Sequence, residues 1–326
     1  MYFNLMSTEP SPIDWNNCPP IKSATFPFEF TPPLRQEILR VLKKCNKRSS
    51  PGMDNLTYSD ILYFDPEGRI LEKLFFIIMT LGKIPNSWRS SRTILIPKSG
   101  NLDLSSASNW RPIALLNSLY KIFTSCLTSQ LLYWLGDENL LHRNQKSIAL
   151  YEECIEHNFA LNMTIGKHYR EKLSTHIANA FPSIPIETIL GILKRHNASN
   201  HSLEIINQLY PNYDTTICLK DTNVGPLQVK KGARQGCPLS MLLFNIAINQ
   251  ALLAVDPTQN TNTPTQAVKV LAYADDLAIM GSNINELQID VDKATKAIEW
   301  CGMKVKPTKS AQLSMNPIIE KWSDSK

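Results

Sequence analysis

Apolar and polar positions alternate with two different periods along this chain, and the changes of period mark its elements. After an extended, proline-bearing lead-in over residues 1–30, Leu34, Ile38, Val41, Leu42 and Cys45 recur at helical spacing. Thr31 is placed to cap that helix, and Pro32 and Pro33 suit its opening turn. A turn-forming stretch, Ser49 to Asp54, precedes a second apolar helix around Leu71 to Leu81 that Gly82 can stop. Arg92 to Lys98 reads as one arm of a β-hairpin, Ser99 to Ser108 as its polar turn, and Trp110 to Ile113 as the return. A helix follows from about Ser118 to Leu135, with Ile122, Phe123, Leu127, Leu131 and Leu132 on its apolar side.

The second half alternates strands and helices. Leu173 to Ile177 is a short strand, and Pro185 opens a helix carrying Ile189, Leu190, Ile192 and Leu193. Tyr213 to Leu219 and Leu227 to Val229 form a hairpin, Leu239 to Val255 an apolar helix, and Val268 to Met280 a second hairpin interrupted by two acids. Glu286 to Cys301 is amphipathic and ends at Gly302, and Met303 to Val305 can start a last strand. This order predicts an α+β protein, an antiparallel sheet with helices on one face.

Composition narrows the picture a little. The longest apolar run, Leu74 to Leu81, is far short of the roughly 20 residues of a membrane helix, so no membrane role is expected. The first residues carry no basic segment followed by an apolar stretch, which points to an intracellular, reducing setting. Seven cysteines are scattered without a C-x-x-C pair, so neither a zinc site nor a disulfide framework is expected. The formal net charge is +5, yet Thr31 to Arg111 alone holds thirteen Lys and Arg against seven Asp and Glu, a net of +6. An amino-terminal basic excess suits a polyanionic partner, although a charge run is more often a solvated face.

The chemistry concentrates in Leu271 to Met280, where Asp275 and Asp276 stand side by side between two apolar β arms. Two like charges at a strand junction are costly to bury unless a cation neutralises them. Either they form a solvated hairpin tip, or they hold a hard cation such as Mg²⁺ beside a phosphate substrate.

Tyr273-Ala274-Asp275-Asp276 resembles the Y-x-D-D box of reverse transcriptases, and other boxes of that family occur in its order. Lys47 to Asp54 resembles the K-x-x-S-P-G-x-D element of non-LTR retrotransposon polymerases; Arg92 to Lys98 with Asn109 to Ile113 resembles their fingers hairpin. Gly232 to Ser240 matches the G-x-x-Q-G-x-x-x-S box, and Gly302 to Ser310 the later G-x-K-x-N-x-x-K element, with Lys306 where asparagine is common. The resemblance covers roughly residues 31 to 313. It implies a right-hand polymerase fold: fingers over 31–170, a palm over 171–316, a tail over 317–326, and a thumb largely missing, as in a truncated or degenerate copy of a larger element-encoded protein.

The resemblance also implies roles. Arg92, Lys98 and Arg111 would meet the triphosphate of a deoxynucleotide, Gln235 and Gly236 would lie beneath the nascent pair, and Lys309 would assist pyrophosphate departure. Asp275 and Asp276 would be metal ligands for Mg²⁺, with an RNA template and a DNA primer as partners. One departure matters. The D-x-x-x-A-F pattern read back from Asn179-Ala180-Phe181 places the family's first palm aspartate at position 176, where this chain has His176. Glu171 lies five positions earlier, on the opposite face of a strand. A histidine offers a neutral, softer nitrogen where a hard cation wants anionic oxygen. Impaired polymerization is therefore expected, leaving either residual enzymatic activity or a non-catalytic nucleic-acid-binding remnant.

Overall fold

A computed structural model describes residues 9, 12–98, 103, 105–106, 109–147, 171–176, 183–210, 212–219, 222–257, 268–306 and 310–314, with backbone alone at 171–176 and 311–314. The first elements are α1 (Arg35–Lys44), α2 (Tyr58–Phe64), α3 (Arg69–Leu81), β1 (Ser90–Pro97), β2 (Trp110–Leu115) and α4 (Ser118–Asp137). Then come β3 (Glu171–His176), α5 (Ile186–Arg195), α6 (Asn200–Leu209), β4 (Tyr213–Cys218), β5 (Asn223–Val229) and α7 (Pro238–Val255). The last are β6 (Val270–Tyr273), β7 (Asp276–Gly281), α8 (Ile284–Trp300) and β8 (Ala311–Ser314).

Two compact units form, and neither is one consecutive segment. The first comprises Met1–Leu141, Asn179–Ala247 and Trp300–Met303; the second comprises His142–Ala178, Ile248–Glu299 and Lys304–Lys326.

In the first unit the strand order is β2-β1-β4-β5. β1 pairs antiparallel with β2 but parallel with β4, so this sheet is mixed where an antiparallel one was expected. The parallel seam carries a polar contact: Thr93 and Thr215 share a hydrogen bond of 2.7 Å between buried hydroxyls. Helix α1 packs on α3 and α4; α1 and α3 each bury one stripe, whereas α4 is buried on most sides, and Phe75 and Phe123 meet at 5.1 Å between ring centroids in that core. The α1 helix begins at Arg35 with Leu34 at its cap, and Glu37 accepts the Leu34 N–H at 2.8 Å. Thr31 therefore does not cap it: its N–H is taken by Gln130 at 3.1 Å, which holds residue 31 outside the helix.

Residues 22–31 are stitched across the same unit. The Glu138 carboxylate accepts the N–H groups of Thr25 and Phe26, Trp134 donates to the Phe26 carbonyl, and Phe28 bonds to both Asn197 and Ser199 backbones. Two helices lie where the periodicity predicts none. α2 is only seven residues long, but Thr57 and Asp60 form a reciprocal capping box, and Ser199 caps α6 through the Ser202 N–H.

In the second unit the order is β6-β7-β3-β8, antiparallel throughout. Its last strand is Ala311–Ser314, later than the expected Met303 to Val305, where only Val305 makes a bridge. Of the cysteines, Cys126, Cys237 and Cys301 are buried and Cys18, Cys45 and Cys218 half-buried; Cys154 lies outside the described residues. Among the described helices α7 alone is long and apolar enough to cross a bilayer, and most of it is buried inside the fold.

Burial holds the His196 imidazole below its usual range, against a contact of 2.5 Å between Nδ1 and the Lys22 carbonyl. The unfolded chain thus takes up this proton before the folded one as pH falls. The resulting stability is full above the ordinary value of 6.5 and declines below it, toward the folded value. Urea midpoints are expected to drop between about pH 7.5 and about pH 5.5, with His196 contributing a slope under about 1.4 kcal/mol per pH unit. His196→Gln should lose that component, and an identical pH slope in the variant would contradict it.

Candidate functional site

The paired acids sit where a β-hairpin reverses. β6 ends at Tyr273, Ala274 and Asp275 form a two-residue turn, and Asp276 is the first residue of β7. Asp275 is half-buried and Asp276 exposed. The register sets Asp276 opposite Tyr273 on one side and opposite His176 on the other. Position 176 is thus the direct cross-strand neighbour of the acid pair.

Ala274 has a φ of +53°, in the left-handed region that glycine favours and that costs another L-residue about 1–2 kcal/mol. It is nonetheless buried, and its N–H donates to Gln145 Oε1 at 3.2 Å. Gln145 belongs to the segment His142–Ser147, which lines the outer edge of β6. Ala272 donates to the Asn144 carbonyl at 2.9 Å, Lys146 donates back to the Ala272 carbonyl at 3.1 Å, and Asn144 Nδ2 reaches the Val270 carbonyl at 3.0 Å. His142 anchors the segment: its N–H bonds Asn249 Oδ1 at 2.6 Å, and its Nδ1 accepts the Asn144 N–H at 3.2 Å.

The cations belong to the first unit. Cross-strand partners share a face, and the register pairs Arg92 with Leu115, Ile94 with Ile113 and Ile96 with Arg111. Arg92 and Arg111 therefore lie on one face of the β1–β2 hairpin, and the alternation carried past Pro97 sets Lys98 there too. Lys98 and Arg111 are neighbours at one end. Arg92 is six residues from Lys98, about 20 Å along the strand. The hairpin thus carries all three expected cations on one face, Lys98 and Arg111 at one end and Arg92 farther along the strand.

Two glycine boxes converge on the end of β2. A Cβ on Gly52 would fall 2.4 Å from Asn117 Oδ1 and 2.5 Å from Asn117 N. One on Gly236, at a φ of +104°, would fall 2.5 Å from the Ala114 carbonyl oxygen. Only glycine allows these approaches. The Ala114 N–H in turn donates to the Gln235 carbonyl at 3.2 Å, tying the Gln235-Gly236 loop to the hairpin.

Beside it, Arg234 is fully buried with its guanidinium 4.2 Å from the Tyr213 ring centroid and 5.0 Å from that of Tyr120. Nη1 donates to the Trp88 carbonyl at 2.9 Å. Burial raises the Tyr213 hydroxyl to about 12 even against the nearby Arg234 charge, so the cation faces neutral rings. Neither Arg234 nor Gln145 stood out in the sequence. Only long-range contacts reveal them, since an arginine in a glycine loop reads as exposed and a glutamine after a polar run reads as loop.

Lys309 lies outside the described residues, and for His176 the backbone position is the whole of what is described. A pair of hard cations needs several anionic oxygens. Among the described residues no group of three or more His, Cys, Asp and Glu side chains gathers. The described acidic donors at the turn are the two adjacent carboxylates, Asp275 and Asp276.

Residues 96–323 match the family model described as reverse transcriptase (RNA-dependent DNA polymerase). The chain is 27% identical, over 88% of its length, to a retrovirus-related Pol polyprotein from the type-1 retrotransposable element R2 of Popillia japonica, and covers 40% of that protein. It is 24% identical to the transposon TX1 uncharacterized 149 kDa protein of Xenopus laevis, over 88% of the chain and 23% of the relative. With the RNA-directed DNA polymerase from mobile element jockey of Drosophila melanogaster the identity is 24%, over 78% of the chain and 28% of the relative. The chain thus spans well under half of the length of these relatives.

The close approach at β2 can be tested against an open glycine. Gly236→Ala is expected to destabilise the first unit by about 1–3 kcal/mol, through both the positive φ and the clash with the Ala114 carbonyl. Gly136, exposed in α4 with nothing within 4 Å of an added Cβ, should become more stable as alanine by about 0.5–1 kcal/mol. Chemical denaturation of both variants checks the pair, and equal shifts would refute the packing account.

Proposed function

The chain belongs to the reverse transcriptase (RNA-dependent DNA polymerase) family, in its non-LTR retrotransposon branch, and on that premise we propose that it is an impaired copy of an RNA-templated DNA polymerase. The ancestral reaction is attack of a primer 3′-hydroxyl on the α-phosphate of a deoxynucleotide. The observation that carries the reading is the Asp275-Asp276 turn with His176 directly across from it.

The hairpin cations fit a phosphate-binding role. Lys98 and Arg111, adjacent on one face, would bind the triphosphate, where fixed charges on a rigid hairpin lose little order on binding. Arg92, on the same face farther along the strand, would join them at the triphosphate. Gln235 and Gly236, locked to β2, would support the nascent pair, and Lys309 would protonate the departing pyrophosphate. In this division the β1–β2 hairpin belongs to fingers over 31–170 and the carboxylate sheet to a palm over 171–316.

Enzymes of this family generally use divalent metal ions. Two carboxylates with a histidine across from them lack the third anionic oxygen donor that would let two cations, Mg²⁺ in the usual case, be held together. Losing that donor is expected to lower the rate by orders of magnitude, since each 1.36 kcal/mol of lost transition-state stabilisation is about tenfold.

Single-nucleotide extension of a DNA primer on an RNA template, with Mg²⁺ and with Mn²⁺, tests this directly. The unmodified chain is expected to match an Asp275→Ala control, and His176→Asp to restore extension in part at most, because one side chain corrects charge without guaranteeing geometry. Robust extension by the unmodified chain that disappears in Asp275→Ala would show that His176 is tolerated.

Nucleic-acid binding gives a second check. Phosphate contacts dominate such affinity, so binding is expected to fall steeply with salt, to ignore sequence, and to weaken when Lys98 and Arg111 are both reversed to Glu. Filter binding unmoved by salt and by the double reversal would remove the cationic-hairpin assignment.

A further inference from the structure

We propose that Gln145 is a positioning residue for the carboxylate turn: its side-chain carbonyl holds Ala274 in the left-handed conformation and thereby fixes the direction in which Asp275 leaves the hairpin. Three donors converge on that one oxygen: the Ala274 N–H at 3.2 Å, the Ser147 N–H at 3.3 Å and the Ser147 hydroxyl at 3.1 Å. The convergence also fixes the amide orientation, because a flipped carboxamide would set its NH₂ against two backbone N–H groups. Gln145 Nε2 is buried with no hydrogen-bond partner among the described residues. The side chain is therefore held for its oxygen alone, 129 residues away in sequence from the N–H it accepts.

The consequence follows from turn geometry. In a two-residue hairpin turn whose first residue has positive φ, glycine is the favoured occupant. Alanine stands there instead, so the turn keeps this shape only while something outside it compensates. Asp275 is the next residue, and any relaxation of Ala274 toward negative φ reorients its peptide and its carboxylate together. Asn144 and Lys146, bonded to Ala272 on either side of Gln145, keep the acceptor in place. The chemical consequence rests on the reverse transcriptase reading above, whereas the conformational coupling does not.

Two arms separate these. In the first, protein carrying ¹³C-labelled alanine is examined by NMR, where the Ala274 shifts and amide coupling report φ. The unmodified chain should show the left-handed signature, Gln145→Met should lose it, and Gln145→Glu, which keeps an acceptor, should retain it. If Gln145→Met does not fold, Gln145→Asn, which draws the oxygen back from the turn, carries the same expectation. A left-handed Ala274 in folded Gln145→Met or Gln145→Asn overturns the proposal, as does its loss in folded Gln145→Glu.

The second arm uses Mn²⁺-supported primer extension in the His176→Asp background. Gln145→Met should lower extension by about 100-fold, as a displaced reacting group does. Adding Ala274→Gly should recover most of it, since glycine keeps a positive φ unaided. A loss that Ala274→Gly leaves untouched overturns the positioning role. Absence of extension in every variant is an outcome the impaired-copy reading allows, and the NMR arm then decides the coupling by itself.

Discussion

An edge strand must satisfy its outward N–H and C=O groups, and in the second unit that requirement organises everything near the acids. β6 is the edge of its sheet, and its outer groups are met by the short segment around Asn144 and Lys146. The same segment brings Gln145 to the hairpin turn and is itself pinned through His142 to Asn249 on α7. The backbone conformation that orients Asp275 thus depends on residues well over a hundred positions earlier in the chain. Removing the covering segment would free the edge and the turn together.

The first unit solves a different problem, that of bringing two separate loops against one strand end. Gly236 lets one of them approach the β2 backbone at Ala114, Gly52 lets the other approach Leu116 and Asn117 just past the strand, and α4 starts immediately beyond at Ser118. Arg234 fills the space behind with a guanidinium between two aromatic rings. A buried cation is expensive to desolvate, and ring faces with one carbonyl offset only part of that cost. The arrangement fits a loop selected for its position as well as for stability.

Much of this was legible in the sequence. The β1–β2 hairpin, the long helices and the acid-bearing turn announce themselves through period and turn chemistry, and the boxes fix which loops matter. The parallel pairing of β1 with β4 was not, because a crossover between strands more than a hundred residues apart leaves no local signal. α2 and α6 were missed for a related reason: their boundaries are written in caps, Thr57 with Asp60 and Ser199 with Ser202, more than in a long apolar stripe.

The parallel β1–β4 seam also bears on how the chain emerges from the ribosome. Ser90 pairs with Asp214, so the flank of β1 waits while 123 further residues are made. A strand left open that long invites pairing with another molecule. Its inner positions are Ser91 and Thr93, hydroxyl-bearing side chains that water can satisfy during the delay and that Asp214 and Thr215 satisfy afterwards. An apolar pair there would pack as well in the finished sheet, yet would leave each nascent chain with a sticky margin throughout synthesis. Three of the five register pairs across this seam are polar on both sides, which lowers the attraction of that margin for another chain before its partner strand arrives.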